Sequence, residues 1–260
     1  MDFNDLVVES EDKILLVRLN RPDVLNAIRE ETFKELEAVL DIFAENDQYG
    51  VMIITGTGDR AFSAGGDIKV LVGLSSDDAA AFAAMTHRIL DKIENVPKPI
   101  IAAVNGLALG AGCDLTIACD LVVASDKARF GEPPAGIGIT TPFGGTQRLP
   151  RIVGPKRAKR MFFTGDMIGA EEALQIGLAN FVVAPDEVMA KTRELAEKIL
   201  SKAPVAVGYF KRLVNYSSYG DMGDGDALEC ELYARCFDTD DQVEGMTAFL
   251  EKRKPVFKGK

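Results

Sequence analysis

Apolar and polar residues alternate in blocks along this chain, and the period of each block predicts an element. Leu6-Val7-Val8 and Ile14 to Leu19 read as two strands joined by the polar turn Glu9–Lys13. Arg21-Pro22-Asp23 stops the second strand. Phe33, Leu36, Leu40 and Phe43 recur at helical spacing and predict an amphipathic helix over about 29–46. Val51–Thr55 is a continuous apolar run, the signature of a strand buried on both faces. Asp78–Val96 is helical, with Ile89, Leu90, Ile93 and Val96 on one face, and Pro97 and Pro99 end it. Ile100–Val104 and Leu121–Ala124 are two more short apolar strands. From Phe130 the chain carries so many glycines and prolines, through Gly145, that a long irregular loop is expected. Helices follow at 155–163, opened by Pro155, and at 170–176, closed by Gly177, and then a strand at Phe181–Val183. After Asp186 the pattern is helical throughout, broken at Ala203-Pro204 and Gly220–Gly225.

Three stretches, Val51–Ile68, Ile100–Leu115 and Leu121–Gly138, each run from an apolar strand into a turn of small residues. Such a repeat reads as a layered α/β spiral. The middle copy, VNGLALGAGCDLTIACD over Val104–Asp120, is expected to run from strand through glycine-rich turn into the start of a helix. That order leaves backbone N–H groups free at a helix N-terminus, where the dipole favours negative charge. Asp114 lies in the same first turn. An anion-binding backbone beside a carboxylate suits a reaction that stabilises an oxyanion while moving a proton.

Composition narrows the choice. With 260 residues the chain suffices for one large domain, or a core with an appendage. The formal charge of −10 argues against nucleic acid as the main partner, although a local basic pocket for a phosphorylated ligand remains compatible with it. No apolar run is of transmembrane length, and MDFNDLVVES lacks the features of a signal peptide, so a cytoplasmic location is expected. Cys113, Cys119, Cys230 and Cys236 have no metal-ligand spacing and read as reduced packing thiols. Gly106, Gly110 and Gly112 are spaced GxxxGxG rather than GxGxxG, which argues against a nicotinamide-dependent dehydrogenase.

Three motifs occur together: AFSAGGDI at 61–68, NGLALGAGCDL at 105–115 and GGTQRLPRIVG at 144–154. With RPDVLNAI at 21–28 and FLEKRKPVFKG at 249–259 they resemble the crotonase, or enoyl-CoA hydratase/isomerase, superfamily over nearly the whole chain. The resemblance implies an α/β fold: a crotonase-like spiral of ββα units over 1–190 carrying an acyl-CoA site, and a C-terminal helical trimerisation region over 191–260. It implies a homotrimer or a dimer of trimers, no metal, and no cofactor other than coenzyme A as part of the substrate. The oxyanion hole maps onto the backbone N–H groups of Gly66 and Ala111. The first catalytic carboxylate maps onto Asp114, one methylene shorter than the usual Glu. The second maps onto Pro134, which has no acid. Arg21, Val24, Asn26, Ala27, Ala64, Asp67, Ile68, Tyr233 and Lys252 match positions that border the acyl-CoA.

The loss at Pro134 leaves Glu132 with two readings. It is either a solvent-facing or salt-bridged loop residue, or a substitute acid, because positions two apart in an extended stretch face the same side. Asp114 itself has an ordinary alternative as a helix-start cap. His87, the one histidine, reads as a surface or packing residue one turn before Asp91, an occasional catalytic position in the family. Asp67 is expected to orient its loop, and Asp120 and Asp126 to be structural. Lys252 has the alternative of a solvated charge run with Arg253 and Lys254. The activity implied is hydration of the 2,3 double bond of an enoyl-CoA, with an alicyclic or dienoyl acyl group suggested by the missing acid. The alternatives are a double-bond isomerase, which needs one carboxylate, and a non-catalytic acyl-CoA-binding protein.

Overall fold

The computed structural model describes residues 3–260; Met1 and Asp2 lie outside the described residues. In chain order the strands are β1 (Leu6–Glu11), β2 (Ile14–Leu19), β3 (Val51–Gly56), β4 (Ala61–Ser63), β5 (Ile100–Val104), β6 (Leu107–Leu109), β7 (Leu121–Ser125), β8 (Arg129–Gly131), β9 (Met167–Gly169) and β10 (Phe181–Val183). The helices are α1 (Glu30–Glu45), α2 (Ile68–Leu71), α3 (Ser76–Asn95), α4 (Ala111–Ala118), α5 (Gly145–Val153), α6 (Pro155–Thr164), α7 (Ala170–Gln175), α8 (Val188–Leu200), α9 (Pro204–Ser217), α10 (Met222–Cys236) and α11 (Asp240–Leu250).

Two sheets organise the core. One has the order β1-β2-β3-β5-β7-β10, parallel except for the β1–β2 hairpin. The other has the order β4-β6-β8-β9. Each of the three sequence repeats supplies one strand to each sheet, β3 then β4, β5 then β6, β7 then β8. The spiral of ββα units is therefore real, and its second strand is the part that apolar periodicity does not reveal. Three residues are too few to show a period, and such strands persist only because neighbours on both sides complete their hydrogen bonds.

The central strands β3 and β5 are wholly buried. Their alternate residues divide between two cores, as a period of two requires. Met52, Ile54, Ile100 and Ala102 face a large cluster that includes Phe33, Leu36, Leu40 and Phe43 of α1 and Ile89, Leu90 and Ile93 of α3. Val51, Ile53, Ile101 and Ala103 face a smaller cluster closed by Val188 and Ala196 of α8. The division expected at 190/191 thus falls inside a helix that covers the main sheet, and α8 packs with the core. Each fully buried Leu, Ile or Phe here contributes about 1.5–3 kcal/mol relative to exposure.

Other boundaries also move. β1 runs through Glu11, so the hairpin turn is only Asp12-Lys13, with Asp12 in the left-handed region at φ 51°. The polar residues of β1 fit because it is an edge strand, and Glu9 pairs with Arg18 at 3.0 Å. The glycine- and proline-rich loop contains β8, a 3-10 turn over Pro134–Ile137 and the start of α5. The C-terminal helices break once more than expected, at 237–239, where the Thr239 hydroxyl accepts from the Gln242 N–H at 3.2 Å. Gly223 and Gly225 lie inside α10, capped by Asp221. No helix among the described residues is long and apolar enough to cross a membrane.

Candidate active site

The site forms where the turn after β4 meets the turn after β6. A Cβ on Gly112 would come 2.5 Å from the Ser63 carbonyl oxygen, so α4 lies on β4 only because residue 112 has no side chain. Gly65 has φ 109°, and a Cβ there would come 2.9 Å from the Leu109 carbonyl oxygen and 3.9 Å from the Ala111 nitrogen. The two turns therefore approach at backbone contact, which side chains would prevent.

This approach sets two N–H groups free. The Ile28 N–H donates to the Gly65 carbonyl and the Asp67 N–H to the Ile28 carbonyl, both at 2.8 Å. Gly66 is thus pinned on both sides while its own N–H has no acceptor among the described residues. Ala111 is the first residue of α4, after Gly110 at φ 47° with no side-chain cap. Its N–H also lacks an acceptor among the described residues, as the geometry of a helix start requires.

Asp114 is completely buried in the first turn of α4. Its Oδ2 accepts a hydrogen bond from the Thr141 hydroxyl, while Oδ1 has no partner. Gly145 packs so closely on Oδ1 that any side chain there would displace it. Burial pushes the carboxyl up to about 7, against the opposing pull of the Thr141 hydrogen bond and the Arg148 charge. Such a group changes protonation near neutrality, as a general acid or base should.

Glu132 is the other buried acid. It is 0% exposed, and neither carboxyl oxygen has a hydrogen-bond partner. Burial raises its pKa well above the usual carboxylate range and the charge of Asp114 raises it further, against the opposing pull of the Cys113 thiol. This overturns the reading of Glu132 as a solvent-facing or salt-bridged loop residue. The expected route to the site is also corrected. Pro133 has φ −83° and ψ 4° and leads a 3-10 turn, so the stretch is not extended. Glu132 instead meets Asp114 because β8 pairs with β6, placing the residue after Gly131 beside the start of α4. Pro134 is half-buried, its ring 4.0 Å from where a Cβ of Gly110 would stand, so the position onto which the resemblance maps a second acid holds an apolar ring beside the Gly110 turn.

The remaining candidates separate. Asp67 caps α2, accepting from the Lys69 N–H at 3.2 Å and from Arg21 at 2.9 Å. Arg21 also donates to the Ala27 carbonyl at 2.6 Å and lies 3.7 Å from Asp5, so its guanidinium holds the Gly66 turn in place. The side chain of Asn26 is not available to a ligand, a correction to the sequence expectation. It is 2% exposed, donates to the Thr57 and Ala61 carbonyls and accepts from the Arg21 N–H, and its backbone is left-handed at φ 56°. Val24 and Ile68 are exposed, and Ala27 and Ala64 half-buried, around the same turn. Tyr233, exposed against the Phe237 ring, and Lys252, exposed after α11, make no hydrogen bond or ion pair with that region among the described residues.

Three supports escape a reading of the sequence. Thr141 holds Asp114. Arg148 is buried and donates to the Phe143 carbonyl at 3.1 Å, to Asp91 at 2.6 Å and to Glu94 at 2.8 Å. The Thr86 hydroxyl of α3 donates to the Pro142 carbonyl at 2.8 Å. Together they fasten the 141–145 loop over Asp114. Arg148 lies within the GGTQRL motif, which was the one available signal. Asp91 pairs with Arg148, and His87 is half-buried beside Gly144, so neither is held at the carboxylate pair. Asp120 is structural, bonded to Lys211 and to the Ile100 N–H. A cavity of about 1140 Å³ lies elsewhere, between Lys98, α9 and the chain's last residues, and includes neither Asp114 nor the Gly66 turn.

A parallel-sheet spiral presenting two free backbone N–H groups above a buried carboxylate defines an acid–base enzyme of the crotonase class. The model of the Enoyl-CoA hydratase/isomerase family matches residues 9–260, and the chain belongs to that family. It is 43% identical over 257 residues to a crotonyl-CoA hydratase of Syntrophomonas wolfei, covering 99% of each chain. It is 43% identical over 254 residues to a short-chain-enoyl-CoA hydratase of Clostridium acetobutylicum, covering 98% of this chain and 97% of that one. The crystal structure of an enoyl-CoA hydratase from Bacillus anthracis superimposes with a TM-score of 0.95 at 36% identity, covering 99% of this chain and 100% of that one.

Proposed function

We propose that this protein adds water across the 2,3 double bond of an enoyl-CoA thioester. The observation that carries the reading is the buried, half-satisfied carboxyl of Asp114 beside the free N–H groups of Gly66 and Ala111. The N–H pair binds the thioester oxygen, which gains charge as water attacks C3. Backbone donors suit this role because they are rigid and cannot lose a proton, and one such donor is worth ~10²–10³ in rate. Asp114 orients the water and takes its proton. Arg21 and Asp67 hold the Gly66 turn, and the surfaces of Val24, Ala27, Ala64 and Ile68 border the thioester chain. The names of the two similar hydratases support a short acyl group. The Pro134 ring, apolar where the family has an acid, supports a place for an alicyclic or dienoyl group as well.

The chain is proposed to act as a homotrimer or dimer of trimers. Phe210, Val214, Met222, Phe249 and Leu250 of the C-terminal helices are 63–84% exposed, too much apolar surface to leave in water. Tyr233 and Lys252 would then meet the nucleotide end of coenzyme A in the assembly. Light scattering showing a stable monomer at low micromolar concentration would remove this reading.

The absent acid at Pro134 favours one competing activity, double-bond isomerisation, for which a single carboxylate suffices. Incubation with crotonyl-, 3-enoyl-, alicyclic and dienoyl-CoA, read by mass and absorbance, decides between them. Gain of one water is the expected result. Unchanged mass with shifted absorbance would replace hydration by isomerisation, and no reaction with any thioester would leave a binding protein.

A further inference from the structure

Asp114 Oδ1 and both oxygens of Glu132 are buried without a hydrogen-bond partner. Three such acceptors in one place are costly, since each unpaired buried polar group costs about 1–3 kcal/mol, and more when charged. A carboxylate can only accept, so two ionised acids could not satisfy each other. One proton changes this, because it turns one of the oxygens into a donor. The Pro134 ring excludes a second acid from the usual side, and Asp67, Asp91 and Asp120 all hold other partners. Among the described residues Glu132 is the buried carboxyl whose two oxygens both lack a hydrogen-bond partner.

We propose that Asp114 and Glu132 work as a carboxyl pair sharing one proton, Glu132 being the second acid of the hydration site. This rests on the hydration reading above. With one proton between them, Asp114 carries the charge and Glu132 the proton. In the forward reaction Asp114 takes a proton from water as the water oxygen bonds to C3. The electron pair of the C2–C3 double bond moves to form an enolate, whose oxygen is held by the N–H groups of Gly66 and Ala111. C2 then takes a proton from Glu132 as the carbonyl reforms. The proton on Asp114 passes to Glu132, and the pair returns to one proton and one charge. No other donor or acceptor is needed. Both acids act from one side of the acyl chain, leaving the Pro134 side apolar.

The test has two readouts. In steady-state kinetics with the thioester that the wild type hydrates, Glu132→Gln should lower kcat by about 10²–10⁴-fold, the scale of general acid–base catalysis, with KM little changed. It should also abolish the alkaline limb of the pH–rate profile, which belongs to ionisation of the pair's second proton. The Glu132→Gln, Asp114→Asn double variant should be little slower than either single one, because the two act as a unit. Infrared difference spectroscopy gives the second readout without substrate. In spectra taken about two pH units above the Asp114 pKa of about 7, where Asp114 is ionised, the wild type should show a protonated carboxyl that is absent in Glu132→Gln. Normal kcat with an intact alkaline limb in Glu132→Gln, or no protonated carboxyl in the wild type, overturns the pair. If the wild type hydrates no thioester but the carboxyl band is present, the hydration reading fails and the proton-sharing pair stands. If Glu132→Gln does not fold, titration of the wild-type band alone decides.

Discussion

Asp114 lies in the first turn of a buried helix and Asp120 two residues past its last, and their surroundings differ in kind. Asp120 is held at 2.8 Å by Lys211 and at 2.7 Å by the Ile100 N–H, and the Lys211 ammonium also bonds the carbonyls of Ile93 and Lys98. Asp114 has one hydroxyl donor, one empty oxygen and a second acid beside it. Burial raises the pKa of both, but at Asp120 it works against the Lys211 charge and the hydrogen bonds from Lys211 and the Ile100 N–H. A buried charge with a full set of partners fastens elements together, here α9 to the sheet. A buried acid without them is kept at a cost in stability, and that cost is understandable where the acid moves protons.

The largest expected effect breaks the functional end. Asp114→Asn keeps size and polarity but cannot take a proton, so kcat should fall by about 10²–10⁴-fold. The same variant should gain stability at and above neutral pH. The sign follows from the raised pKa: between the usual carboxylate range and about 7 the folded state binds the proton that the unfolded state has released. The stability present at low pH is therefore lost as pH rises through that window, and Asn removes the loss. Denaturant titrations at acid and neutral pH check it. A variant slower and also less stable at neutral pH would mean that Asp114 is a structural cap.

The structural end should respond in the opposite way. Lys211→Met leaves Asp120 and two carbonyls without their donor, and stability should drop by about 3–5 kcal/mol, the scale for breaking a buried pair. At temperatures where it stays folded, kcat should be little changed. A large fall in kcat with unchanged stability would erase the distinction between the two acids.

Ala111→Pro sharpens the comparison at the backbone. Proline is well tolerated at the first residue of a helix and removes only an N–H that is already free. The fold should survive while the rate falls by about 10²–10³, the loss of one oxyanion donor. Normal turnover in the folded variant would dismiss the Ala111 N–H from the site.

Much of this site is legible in the linear sequence, and the limits have identifiable causes. The small-residue turns at 61–68 and 105–115, and Asp114 between free N–H groups, follow from local spacing, because helix starts and glycine turns are short-range structures. Arg21 and Asp67 can be placed near the turn, but that they bind each other across 46 residues cannot be read from either position. Asn26 illustrates the reverse: a polar residue in a loop suggests a ligand contact, whereas its amide is consumed by carbonyls of a distant strand end.

By itself the sequence determines the five longer strands, the main helices, the threefold repeat and the family, because these rest on periodicities of two and 3.6 residues and on motifs that persist over many positions. Only the tertiary structure decides the second sheet and the state of the acids. Strands of three residues exist through their neighbours alone. Whether a carboxyl is solvated, paired or stranded depends on everything packed around it, and Glu132 acquires its character from β6, α4 and the prolines that follow it, none of which its own position in the chain reveals.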